Sequence, residues 1–170
     1  MEGNSSDFVD AVCRFVCAVL NTRDSKKVGV FLGGVMETDS EKQPFAVEGL
    51  KFDEKAKRTI QQQFGRRLAT VLHAQVNDQK KGLTTEELNQ VNLKFVSVPC
   101  VSGHHDQCQV ALVTVVPNSK VCKNHMYVCQ FRDPSGRAQA ECYKRLEGET
   151  VHIRQQKKIT ALKNYLNNIT

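Results

Sequence analysis

Tryptophan is absent from this 170-residue chain, tyrosine occurs three times and proline four times. The eight phenylalanines fall mostly on apolar stripes. Few aromatics are left for a platform on which unpaired bases could stack, which argues against a single-strand reader. No apolar run is long enough to cross a bilayer, and MEGNSSDF lacks the basic-then-apolar pattern of a signal peptide. A Gly-Lys-Ser/Thr phosphate loop, a serine nucleophile elbow and a paired two-residue cysteine spacing are all missing. Nucleotide hydrolysis on a P-loop and serine-hydrolase chemistry are therefore not indicated. Seven cysteines, an odd number, are scattered over helix-like and strand-like segments. That favours a reducing compartment, so the expected location is cytoplasmic or nuclear.

What is present is an uneven excess of positive charge. The net charge of +6 is not spread along the chain: residues 1–50 are net acidic and 82–141 balanced. Residues 51–81 carry eight basic and three acidic groups, and residues 142–170 carry six and two. A basic surface on a folded domain attracts polyanions, because each neutralised phosphate releases counterions. The same segments would also serve as ordinary solvated helix faces.

The segment RFVCAVLNTRDSKKVGVFLGGV, Arg14 to Val35, organises the rest. Phe8, Val12, Phe15, Val16, Val19 and Leu20 recur at helical spacing and predict a first helix with one buried face, capped by Ser5 or Ser6. Asp10 and Arg14, four apart, would pair within it. Asn21 stops the helix, and Val28 to Val35 predicts a buried strand ending in the Gly33-Gly34 corner. Such a corner is a common place for a phosphate or nucleic-acid site. Phe45 to Leu50 reads as that strand's hairpin partner. Phe52 to Val76 reads as one long helix with the stripe Ala56, Ile60, Phe64, Leu68, Val71 and Leu72. Lys55, Lys57, Arg58, Arg66 and Arg67 lie off that stripe, His73 near its end reads as a capping or core residue, and Gly65 would permit a close contact. A basic loop, Asn77 to Leu83, and a helical turn from Thr84 or Thr85 to Leu88 follow. Strands are expected at Val91 to Val98, Gln109 to Val116, Met126 to Phe131 and Ala138 to Leu146, then a helix from Arg154. The fold class is α+β, a single domain with a mixed sheet flanked by helices.

Two clusters have metal-ligand chemistry: Cys100, His104, His105 and Cys108, and Cys122, His125 and Cys129. Neither has the paired spacing of a zinc site, and residues at even intervals on a strand share a face by default. No metal is assigned to them, and nothing orients a Cys–His pair for nucleophilic chemistry.

The order of elements resembles the divergent AlbA-like domain of the Schlafen superfamily, and within it that of the sterile alpha motif domain-containing protein nine family. The residues that carry the resemblance are Arg14-Phe15, Asn21-Thr22-Arg23, Gly34-Val35, Val116-Pro117, Lys120-Val121-Cys122 with Tyr127, and Arg145 to Gly148. The resemblance implies binding of double-stranded DNA or structured RNA and, in several members, metal-dependent cleavage of transfer RNA. The superfamily is linked to antiviral defence and translational restriction. It also implies a nucleic-acid role for Arg14, and it aligns Glu37 with the third acid of the nuclease members. The other two acids of that pattern have no counterpart, since Glu2 and Asp7 do not reproduce the spacing, and the Arg145 to Gly148 corner is one residue longer than usual.

The function expected from the sequence is thus a largely sequence-independent nucleic-acid-binding domain, either whole or part of a larger multidomain chain, with a homodimer as a further possible state. The expected surface draws on Arg14, Arg23, Lys55, Arg58, Arg66, Arg67, Lys144, Arg145, Lys157 and Lys158. Alternatives are a nuclease using Glu37 with Asp39 or Glu41, which alone would require Mg2+ or Mn2+, and a non-catalytic protein-interaction module. No other cofactor and no membrane partner is expected.

Overall fold

The computed structural model describes residues 5–22, 27–37, 45–50, 52–76, 79–99, 108–122, 125–132, 135–146 and 149–153. The expected C-terminal helix, Arg23, Asp39, Glu41, the Cys100–His104–His105 cluster, Lys157 and Lys158 lie outside the described residues.

Helix α1, Ser5–Leu20, is the centre of the molecule. From Ala11 to Leu20 its only polar residue is Arg14. A helix that is apolar on all sides must be covered on all sides. Accordingly Val12, Cys13, Phe15, Val16, Cys17, Ala18, Val19 and Leu20 are all buried, not one face of them alone. Two sheets and a second helix supply the cover. The first sheet has the order β1 (Gly29–Gly33), β7 (Cys108–Val115), β6 (Val91–Val98). The second runs β10 (Glu149–Ile153), β9 (Ala138–Leu146), β8 (Met126–Arg132), β4 (Leu72–Val76), β5 (Gln79–Gly82). Every described strand pair is antiparallel. The α+β class expected from the sequence is the class observed, with one main core shared by helices and sheets.

Several boundaries differ from the expectation. The strand expected over Val28 to Val35 breaks at Gly34, whose positive φ of 89° makes a turn that a side chain would strain. Beyond it a separate short strand, β2 (Val35–Glu37), pairs with β3 (Phe45–Val47), while β1 pairs with β7 instead. Helix α2 spans Glu54–Val71, capped by the Asp53 carboxylate, which accepts from the Ala56 N–H at 2.6 Å. It stops five residues before the expected end at Val76. Leu72 to Gln75 pair with Cys129 to Met126 of β8, and this strand pairing overrides the helical pattern. His73 is therefore a strand residue, partly buried, and its buried Nδ1 has no hydrogen-bond partner among the described residues. The basic loop after it is in part strand β5. Lys57 is also corrected: it lies on the buried stripe with Ile60, Phe64 and Leu68, and its ammonium reaches back to Glu54. No atom lies close to where a Cβ would stand on Gly65, so that glycine makes no close contact.

The short helices α3 (Thr85–Leu88) and α4 (Ser119–Cys122) complete the described structure. The strand β10 was not expected. On the face of the five-stranded sheet away from α1, Met126, Val128, Cys142 and Ile153 form a second, smaller buried cluster.

Candidate nucleic-acid interface

Helix α2 presents its buried and basic residues on opposite sides. At 100° per residue, Lys55, Arg58, Gln62 and Arg66 fall within a sector of about 80° facing away from the Ile60–Phe64–Leu68 stripe. All four are exposed, and none of the three cations makes an ion pair with a described residue. From Lys55 to Arg66 the stripe is about 16 Å long. Arg67 sits to one side, and its guanidinium is bound to Asp10 of α1 at 3.1 Å. This bridge between helices replaces the Asp10–Arg14 pair that the spacing within α1 suggests.

Arg14 is held elsewhere. Its Nε donates to the Tyr143 hydroxyl at 3.0 Å, its guanidinium lies 3.8 Å from Glu141, and it covers the Phe131 ring at 4.5 Å. The Tyr143 hydroxyl in turn donates to Glu141. These contacts tie α1 to β8 and β9. Arg145 behaves alike, covering Phe15 at 5.3 Å and donating to the Thr150 hydroxyl at 2.9 Å. Tyr143 is followed on the same face by the ring of His152, stacked at 4.9 Å. Lys144 alternates to the opposite face of β9. The structure thus gathers Lys55, Arg58 and Arg66 on one surface, uses Arg14, Arg67 and Arg145 to join elements, and leaves Lys144 apart from both groups. The backbone of Glu37 pairs with Phe45; its side chain, like Asp39 and Glu41, lies outside the description. Among the described residues no group of three His, Cys, Asp or Glu is placed to hold a metal.

Two polar centres in the core escaped the sequence reading beyond their local roles. Asn21, at the end of α1, is buried between β8 and β9. Its amide nitrogen donates to the Tyr127 and Tyr143 carbonyls, both at 2.9 Å, and its oxygen accepts from the Tyr127 N–H at 2.8 Å. The ladder between these strands runs from Arg132↔Ala138 to Cys129↔Glu141. Beyond that, where Tyr127 would face Tyr143, the Asn21 amide takes the place of the backbone pair. The second centre is Glu87, 1% exposed. It completes a capping box with Thr84 and accepts from the Tyr127 hydroxyl at 2.5 Å and pairs with His125 Nδ1 at 3.0 Å. Burial pushes its carboxyl up, but the hydrogen bonds from Tyr127, Thr84 and His125 outweigh it and hold the group below the usual carboxylate range. Tyr127 is thereby gripped at its backbone by Asn21 and at its hydroxyl by Glu87.

The free cysteines are packing residues. Cys13, Cys17, Cys122, Cys129 and Cys142 are buried. Burial pushes the Cys13 and Cys142 thiols up to about 12 and raises Cys122 and Cys129 too, which suppresses nucleophilic thiolate. Cys108 is disulfide-bonded.

No family model matches the chain. No curated protein matches it either. Among the described residues no helix is long and apolar enough to cross a membrane.

Proposed function

We propose that the chain is a nucleic-acid-binding domain that holds double-stranded DNA or structured RNA through the outer face of α2. The observation that carries this reading is the exposed stripe of Lys55, Arg58 and Arg66, set opposite the side of the helix that packs into the core. A stripe about 16 Å long matches several successive phosphates of a duplex, whose charges repeat every 3.4 Å of axis on each strand. The contacts are to phosphate, so binding is largely independent of base sequence. The Schlafen-like order of elements and the net charge of +6 support the same reading. Neutralising about three phosphates gives a slope near −3 in log affinity against log salt, a loss of roughly 40-fold between 50 and 200 mM.

The test is titration of a fluorescent duplex at several salt concentrations, with a Lys55→Glu, Arg58→Glu, Arg66→Glu variant beside the wild type. The variant should lose binding while its circular-dichroism melt stays unchanged. A wild type that binds no duplex at low salt, or a folded variant that binds as before, overturns the assignment.

A further inference from the structure

The large hydrophobic side chains that are exposed among the described residues are not scattered. Val28, Val30, Leu32, Val96 and Val116 all lie on or directly beside the strands of the β1–β7–β6 sheet, and Met36 follows just beyond Gly34 on β2. Each is between 39% and 55% exposed. The strand register sets them in rows on the face turned away from α1. Val30 stands opposite Thr114 and Leu32 opposite Leu112; one residue beyond the Gly29↔Val115 pair, Val28 and Val116 continue the series. On the other side of β7, Val96 stands opposite Val110.

The composition of these strands suits a sheet covered twice. In β7, Ala111, Val113 and Val115 turn inward to the core; on the outward side Cys108 and Val110 are themselves buried and Leu112 is half-buried, so the strand is a near-continuous apolar run and the open part of the face lies toward β1. Such runs belong to strands buried on both faces; α1 covers the inner face, while on the outer face Val28, Val30, Leu32, Val96 and Val116 stay exposed. Contiguous exposed apolar surface of this kind marks an interaction site.

We propose that this outer face is a self-association surface, through which two copies of the chain pack sheet against sheet about a two-fold axis. Charge selects the occupant. The chain carries +6, so copies meeting through α2 or β5 would press basic residues together. The outer face of the β1–β7–β6 sheet avoids this: along its rows the only charged residue is Lys94, on the edge strand β6. A two-fold axis through the β1 side keeps the two Lys94 side chains apart and brings valine and leucine rows together. Two twisted sheets pack in this way about 10 Å apart. A strongly charged partner would instead strand its charges against valines. The contact is isologous, the usual form for soluble homodimers.

The area sets the strength. Three strands about 4.8 Å apart and four rows about 6.8 Å apart cover roughly 400 Å2 per copy, half of the 800 Å2 or so that a standard stable interface buries on each side. The dimer is accordingly a weak one, dissociating on the order of tens of micromolar.

Sedimentation velocity of the full chain, from about 10 to about 500 µM in moderate salt, tests this across the expected range. The weight-average mass should rise from that of the 19.1 kDa monomer toward twice that value. Val30→Asp with Leu32→Asp should hold it at the monomer, with Lys55→Glu as a control that leaves the association intact. Should the double variant fold poorly, Val28→Lys, just outside β1, serves in its place. A wild type that stays monomeric throughout, or an association that survives both variants, overturns the proposal. Neither result depends on whether the α2 stripe binds nucleic acid.

Discussion

Helices α1 and α2 have similar lengths, sixteen and eighteen residues, but opposite relations to solvent. α1 is enclosed beyond its first turn, and the two charges there are matched by groups from other elements: Asp10 by Arg67 of α2, Arg14 by Tyr143 and Glu141 of β9. α2 buries one stripe and leaves Lys55, Arg58 and Arg66 in water without ion pairs to described residues. A charge on an enclosed helix needs a partner in place before the helix can pack, so it becomes part of the architecture. A charge on the open side of a helix costs almost nothing to keep and remains available to a ligand. The same residue type, arginine, is thus structural at Arg14 of α1 and Arg67 of α2, and offered to solvent at Arg58 and Arg66.

The largest effect that would sharpen this contrast is expected at the end of α1. Asn21→Ala leaves the Tyr127 N–H and the Tyr143 carbonyl without the Asn21 amide and the Tyr127 carbonyl with thiol donors alone, and should destabilise the fold by about 3 kcal/mol. A urea denaturation midpoint measures it. A loss near zero would mean that water or the strands themselves repair the gap.

Glu87→Gln acts on the other hold on Tyr127 and should cost about 2 kcal/mol at pH 7. The folded-state pKa of Glu87 is depressed, so its contribution is complete above the ordinary carboxylate range and is lost as the pH falls through the depressed value. Denaturation at pH 7, 5 and 3 should therefore show wild type and variant converging at the acidic end. A constant gap across that range would assign the effect to packing.

Arg14→Met removes one hydrogen bond, the half-exposed ion pair with Glu141 and one cation–π contact but keeps a long stem. It should lower stability by about 1 kcal/mol and leave duplex affinity nearly unchanged. Weakened binding with unchanged stability would return Arg14 to the ligand surface that its place in the Schlafen-like pattern implies. The smallest change is on α2: Gly65→Ala, where the new methyl meets open space, should raise stability by about 0.5–1 kcal/mol in a thermal melt. A loss there would mean that the glycine backbone is needed for something other than its space.

Much of the fold was readable where one physical rule acted alone. Val91–Val98 and Ala138–Leu146 were expected with the bounds they have, because the alternation of residues and the turns around them agree. The capped turn at Thr85–Leu88 also matched, since Thr84 and Glu87 stand at capping-box spacing. The end of α2 was not readable: Leu72 continues the helical stripe, and only pairing with Cys129, far along the chain, makes it a strand. The enclosure of α1 had a signal, the lone Arg14 in an otherwise apolar stretch, but a period of 3.6 draws attention to one face even when all faces are apolar. Of the candidate interface, the α2 stripe follows from helical spacing. The engagement of Arg14 and Arg145 does not, because their partners come from distant strands or, for Phe15 and Arg145, meet across 130 residues. Asn21 read as a helix stop, which it is, but its larger role needs two strands to meet around it.

Strand β1 carries one more consequence. Its inward face reads Gly29, Phe31, Gly33, and a Cβ at Gly29 would lie 2.6 Å from Val19, one at Gly33 2.7 Å from Phe8. The two glycines are hollows on either side of a phenylalanine ridge, and Val19 and Phe8 of α1 occupy them. The helix is thus indexed against the strand like a key in its wards: a slip of β1 by two residues would bring Phe31 under Val19 in one direction and under Phe8 in the other. Substitution at these positions must be paired. Gly29→Ala needs a smaller residue at 19 and a small shift of Phe15, and Gly33→Ala a smaller one at 8 and a small shift against Ala111, so the two elements vary more readily together than alone.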